Sequence, residues 1–191
     1  EYGNVDLMTT TAQLLIPVLT MNIQDAVLRF TLDVNYKKED ILKVACRIVN
    51  ISSLFMALIL GTIKNIGIIN WSNNYLLFLL LSYVMGAINN SLNMYLKSVN
   101  KIKIIGLFGV INTLVTCLAN IFLLLVVNLG VNGYMIAYIS GTFIANVGMF
   151  LGGNIWNDLK EGEWNTNTAK AMLSYGIPLI ANSVAWWINN A

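Results

Sequence analysis

The stretch IIGLFGVINTLVTCLANIFLLLVV, residues 104–127, contains no charged side chain and only a handful of amides and hydroxyls. Roughly 20 such residues, coiled as a helix, cross the ~30 Å hydrocarbon layer of a bilayer. A buried helix of a water-soluble domain is rarely so long and so uniformly apolar, so this stretch predicts a transmembrane span.

The rest of the chain agrees. Of 191 residues 57% are hydrophobic and 10% charged, whereas a soluble domain carries roughly a quarter charged residues. The mean hydropathy is +0.69. Apolar stretches lie at about Val5 to Phe30, Val44 to Ile63, Asn74 to Leu96, Ile104 to Val127, Tyr134 to Trp156 and from Met172 onward, divided by short polar connections. They predict an all-α polytopic transmembrane helix bundle. With no histidine in the chain, and Cys46 and Cys117 far apart in apolar segments, the residues offer no metal site; both thiols read as buried structural groups.

Positive loops stay on the cytoplasmic side of a membrane. The first connection and its flanks hold Arg29, Lys37, Lys38, Lys43 and Arg47, the third holds Lys97, Lys101 and Lys103, and the fifth holds Lys160 and Lys170, leaving Lys64 alone on the opposite side. The connections Lys37 to Lys43, Lys97 to Lys103 and Lys160 to Lys170 are therefore expected in the cytoplasm and Glu1 outside. A chain that begins outside without an initiator methionine, and stops within an apolar run at Ala191, reads as a fragment cut at both ends.

Polar residues within the spans turn toward protein or water. In the third stretch Ser82, Gly86, Asn89 or Asn90, Asn93 and Lys97 recur every three or four residues; in the fourth, Gly109, Asn112 or Thr113, Thr116 and Asn120 do so; in the sixth, Asn182, Trp186 and Asn189. Each makes one stripe on a helix. Such stripes either glue helices together or line a hydrated lumen whose amides, hydroxyls and aromatic rings suit sugars. The fifth stretch has a small-residue face of Gly141, Ala145, Gly148 and Gly152, expected to serve close helix contact.

Two further features carry alternatives. Asp25 and Arg29 stand one turn apart and can form an ion pair, or Arg29 can point into the lumen near its cytoplasmic mouth and grip a phosphate with its planar fork. Pro17 is expected to bend the first helix, and Arg47 to mark the membrane boundary. Gly176 and Pro178 are expected to interrupt the last helix where it enters the membrane, or to kink it.

The opening EYGNVDLMTTTAQLLIPVLTMNIQDAVLRF and the ending LSYGIPLIANSVAWWINNA resemble the second and seventh helices of bacterial polysaccharide (O-antigen type) flippases of the multidrug/oligosaccharidyl-lipid/polysaccharide exporter superfamily. The motifs are distinctive at these two ends, and the middle matches in hydropathy and orientation. The resemblance implies that residues 1–170 form helices two to six of an N-terminal lobe and residues 171–191 begin the seventh helix, in a second lobe. It implies Arg29 as the residue meeting a lipid-linked pyrophosphate and Pro178 as the bend of a mobile helix; the polar stripes and internal charge make Asp25, Asn89, Asn93, Asn112, Thr116, Asn182, Trp186 and Asn189 the lumen candidates beside Arg29. The implied activity is transport, not catalysis: undecaprenyl-pyrophosphate-linked oligosaccharide is turned to the outer leaflet of the bacterial inner membrane by alternating access. The implied partners are that lipid-linked oligosaccharide, membrane lipid, and polysaccharide polymerase and assembly proteins, with no nucleic acid and no cofactor. The alternatives are a multidrug cation exporter of the same superfamily, which would want acidic lumen residues, and a membrane glycosyltransferase or polymerase, which would need catalytic groups on a sizeable loop.

Overall fold

The computed structural model describes residues 2–66 and 71–190. Glu1, whose outside placement was expected, residues 67–70 of the second connection, and Ala191 lie outside the described residues. Among the described residues there is no strand. The helices are α1 (Tyr2–Leu19), α2 (Ile23–Thr31), α3 (Lys38–Ile66), α4 (Asn73–Ser98), α5 (Ile102–Ile121, continued by a π-helical turn at Phe122–Val126), α6 (Gly130–Gly152), α7 (Ile155–Glu161) and α8 (Thr166–Asn190). Five of them, α3, α4, α5 with its π turn, α6 and α8, are long and apolar enough to cross a membrane. The chain is an all-α multi-pass membrane protein.

The first apolar stretch departs from expectation: it is two helices, not one. Asn22 N–H donates to the Pro17 carbonyl (2.8 Å) and Met21 N–H to that of Val18 (3.3 Å), the paired bonds that close a helix when the next residue turns left-handed. Met21 and Asn22 hold φ of 53° and 52°. Pro17 therefore lies inside α1, two residues before its end and with its own carbonyl among those wrapped, and does not bend a continuous helix. Asn100 closes α4 in the same way, its N–H donating to the Lys97 carbonyl (3.2 Å) while Lys101 N–H donates to that of Leu96 (2.8 Å). The fifth stretch also divides. α6 ends at Gly152, Asn154 turns left-handed (φ 56°), and Ile155 and Trp156 begin the separate helix α7.

α4 is the centre of the bundle, touching α1, α2, α3, α5 and α6. Its Phe78, Leu79, Tyr83, Ala87, Tyr95 and Leu96 are buried among residues of those neighbours. α5 sits at the periphery with no buried residue, and Leu107, Val110, Leu114 and Leu118 stand exposed along one face. In a bilayer that face meets lipid, which is as apolar as the leucines themselves. α8 rests on α1, α2 and α3.

One end of the bundle is fastened by polar contacts between distant segments. Lys43 Nζ donates to the Leu159 carbonyl (2.8 Å), Lys101 Nζ to that of Gly153 (2.7 Å), Tyr95 OH to the Asp158 carboxylate (2.9 Å), and Glu163 N–H to that of Asp40 (2.8 Å). Arg47 lies over the Trp164 ring at 5.0 Å and Lys160 over Trp156 at 5.0 Å. These are the loops that carry every lysine and arginine except Lys64.

Candidate functional site: a neutral polar cavity

Four helices line an open cavity of about 660 Å³. α4 contributes Ser82, Gly86, Asn89 and Asn90; α5 contributes Asn112, Thr113, Thr116 and Asn120. These are the stripes of the third and fourth apolar stretches, brought face to face because each repeats at the helical period and each helix hides its polar side from lipid. α1 adds Thr9 and Gln13, and α6 adds Tyr138 and Thr142. Most come from middle portions of their helices, Asn120 from the last turn of α5 before the π-helical turn, and none of the residues lining the cavity is charged.

The wall is held by a chain of amides. Asn93 Nδ2 donates to Asn89 Oδ1 (2.7 Å), Asn89 Nδ2 to Asn146 Oδ1 (2.7 Å), and Asn146 Nδ2 to the Met85 carbonyl (2.9 Å). Each amide orients the next, and bonds in series polarise one another in a low-dielectric interior. Asn146, 6% exposed, thus ties α6 to α4 beside the cavity. Across it, Thr116 Oγ1 donates a long bond to Asn112 Oδ1 (3.4 Å). Gly141 explains how α5 and α6 come so close: a Cβ there would collide with Thr116 Oγ1 and stand 2.7 Å from Asn112 Oδ1 and 3.0 Å from the Asn112 carbonyl. About two and three turns further on, Gly148 and Gly152 face the Phe108 ring. The small-residue face of α6 is a helix contact, as expected, and half of what it touches is the cavity wall.

Several candidates lie elsewhere. Asn93 supports Asn89 without reaching the lining. Asp25 and Arg29 form no ion pair: Asp25 Oδ2 accepts from Asn22 Nδ2 (2.7 Å), while the Arg29 guanidinium lies 4.3 Å above the Tyr175 ring on α8 and 5.9 Å from that of Phe30. The short side chain of Asp25 is nearer to the turn at Asn22 than to the next turn, and the aromatic face of α8 offers Arg29 a better seat. Neither residue lines the cavity. Asn182, Trp186 and Asn189 are exposed on α8 and are not brought to it, because α8 turns its other face to the bundle, where Trp187 Nε1 donates to the Thr10 carbonyl (3.1 Å).

Gly176 and Pro178 do not interrupt the last helix, which is continuous from Thr166 to Asn190. Pro178 is exposed. Gly176 is buried, and a Cβ on it would collide with the Met21 carbonyl and stand 3.3 Å from that of Asn22. The glycine is there so that α8 can lie against the bare main chain between α1 and α2. Cys117 is a further correction: it is exposed and on the cavity wall, while Cys46 is half-buried in α3. Among the described residues no three His, Cys, Asp or Glu side chains gather as a metal site would require.

Thr9 and Gln13, and Tyr138, Thr142 and Asn146, repeat every four residues, a signal obscured by the threonine run of α1 and the glycine face of α6. No known family model, curated protein or solved structure matches the chain, so it is the chemistry of the cavity wall that speaks for its occupant.

Proposed function

We propose that this chain belongs to a flippase that moves an undecaprenyl-pyrophosphate-linked oligosaccharide from the cytoplasmic to the outer leaflet of a bacterial inner membrane, the lysine-rich end facing the cytoplasm. The observation that carries this reading is the cavity lined by amides and hydroxyls, with Ala12, Ile16 and Ile121 among them, and by no charged residue. A hydroxyl-rich headgroup loses its water on entering hydrocarbon, at several kcal/mol for each unpaired polar group. Side chains that both donate and accept replace that water one bond at a time. A multidrug cation exporter is disfavoured by the same wall, which has no acid to meet a cation. The resemblance of the two ends of the sequence to polysaccharide flippases supports the same choice. In this reading Arg29, outside the cavity and parked on Tyr175, meets the pyrophosphate nearer the cytoplasmic face.

The experiment is complementation of a flippase-null strain by the full-length protein, scored as surface polysaccharide per unit of protein in the membrane. Asn112→Leu with Thr116→Val should cut the polysaccharide about tenfold, the equivalent of ~1.4 kcal/mol of lost headgroup binding. Normal polysaccharide from that double variant would overturn the reading.

A further inference from the structure

At the end of the bundle opposite the lysine-rich loops, α3 and α4 leave a groove of about 220 Å³ between them. Its walls are apolar: Ala57, Leu60 and Gly61 from α3, and Leu76, Leu77 and Leu80 from α4. From Ala57 to Lys64 the wall is roughly 10 Å long at ~1.5 Å per residue. The mouth is polar. There stand Lys64, in the last turn of α3, and Asn73, which begins α4, both exposed. Every other lysine and arginine belongs to the opposite end. No aspartate or glutamate lies between Asp40 and Asp158 in the sequence, so neither wall offers Lys64 a carboxylate.

What fits follows from these two parts. A lysine at the end of a spanning helix holds its ammonium at the membrane interface, which is where lipid phosphates lie, and the apolar walls beneath it take a hydrocarbon chain. A molecule that brings an anion and a chain directly below it is a phospholipid. Net charge selects the class. A zwitterionic lipid carries its own ammonium beside the phosphate, whereas an anionic lipid brings uncompensated charge to a lysine, and the Asn73 amide adds N–H donors for the phosphate oxygens. We propose that the α3–α4 groove seats one anionic phospholipid of the leaflet opposite the lysine-rich end, its phosphate on Lys64 and Asn73 and one acyl chain against Leu60, Leu76, Leu77 and Leu80. This site needs only a bilayer and stands apart from the flippase reading.

The full-length protein is reconstituted in phosphatidylcholine nanodiscs with a minor fraction of a lipid bearing a photoactivatable diazirine midway along one acyl chain, either phosphatidylglycerol or phosphatidylcholine. Labelled residues are mapped by mass spectrometry, and labelling at residues 57–61 and 76–80 is taken relative to that at Leu118, on the exposed face of α5. The phosphatidylglycerol probe should label the groove about fivefold more than the phosphatidylcholine probe. Lys64→Gln should bring that ratio close to one, and Lys64→Arg, which keeps the charge, should preserve it. Gly61→Leu places its side chain where a Cβ meets nothing within 4 Å; it should fill the groove and return phosphatidylglycerol labelling to the level at Leu118. Equal labelling by the two probes, a ratio that survives Lys64→Gln or is lost in Lys64→Arg, or groove labelling untouched by Gly61→Leu overturns the inference. So does displacement of the probe by undecaprenyl pyrophosphate added well below the probe's concentration, which would make the groove a seat for carried lipid. The flippase reading is decided separately, by the complementation assay.

Discussion

Replacing Gly176 by alanine tests how α8 is seated. The new Cβ would collide with the carbonyl oxygen of Met21 and crowd that of Asn22. Both are main-chain atoms, and Met21 is held in its left-handed turn by the bonds that close α1, so no change of rotamer relieves the overlap. α8 must withdraw instead. Overpacking of this kind costs ~1–3 kcal/mol. Withdrawal also stretches the 3.1 Å bond from Trp187 to the Thr10 carbonyl, and an interhelical bond in a membrane is worth ~0.6–1.7 kcal/mol. Against this, alanine improves the helix by up to ~1 kcal/mol. The balance is a loss of about 1–4 kcal/mol. The control is Gly61→Ala in α3, where nothing lies within 4 Å of the new methyl: there only the propensity gain remains, and the protein should be stabilised by up to ~1 kcal/mol. Both are measured as unfolding free energies in mixed micelles, followed by tryptophan fluorescence. If Gly176→Ala stabilises as much as Gly61→Ala, then α8 is not seated on the turn between α1 and α2.

Asn146→Leu removes two bonds that join α6 to α4 and should destabilise the protein by ~1–3 kcal/mol; an unchanged unfolding free energy would mean that the amide chain adds nothing to helix association. Tyr175→Leu should loosen α8 by ~0.5–1 kcal/mol through loss of the Arg29 stack, whereas Tyr175→Phe, which keeps the ring, should leave it unchanged, and equal effects of the two would reject the stacking account. For orientation, a cysteine at Val34, 98% exposed in the connection after α2, should be shielded from impermeant reagent applied outside intact cells, and one at Asn132, exposed at the other end of the bundle, should react; the reverse pattern would invert the topology.

What was legible in the sequence was whatever repeats along one helix. The length of the apolar runs sufficed for five of the six stretches, and the three-and-four spacing of Ser82, Gly86 and Asn89, or of Asn112, Thr116 and Asn120, sufficed for the two stripes that meet at the cavity. What escaped depends on partners distant in the chain or on turns without their usual markers. Among the described residues, four of the five non-glycine residues with positive φ are asparagines, which tolerate that conformation. The exception is Met21, the residue at which the first stretch breaks, and nothing in the local residue types announces it. Gly176 invited the opposite error. A glycine beside a proline reads as a breaker, but here its missing side chain is used for close approach, and Pro178 costs α8 one main-chain bond without ending it. Arg29 and Asp25 have ideal spacing for an ion pair; each has a nearer partner, Tyr175 and Asn22, that spacing along the helix does not display. The third stripe, Asn182, Trp186 and Asn189, had the right period but the wrong side, since which face of α8 turns inward is decided by Gly176 and Trp187.

A cavity without charge has a further consequence for how it responds to the cell's electrical state. Moving one elementary charge across a membrane potential of about 100 mV is worth ~2.3 kcal/mol. The amides and hydroxyls that line this cavity carry no net charge, so in the proposed flippase their rearrangement between access states would move no gating charge of their own. The lysines and arginines, gathered almost entirely at one end of the bundle, stay within one interface during such a motion and sample little of the field. In the proposed transport cycle, voltage therefore acts on the cavity wall through charge on whatever is carried.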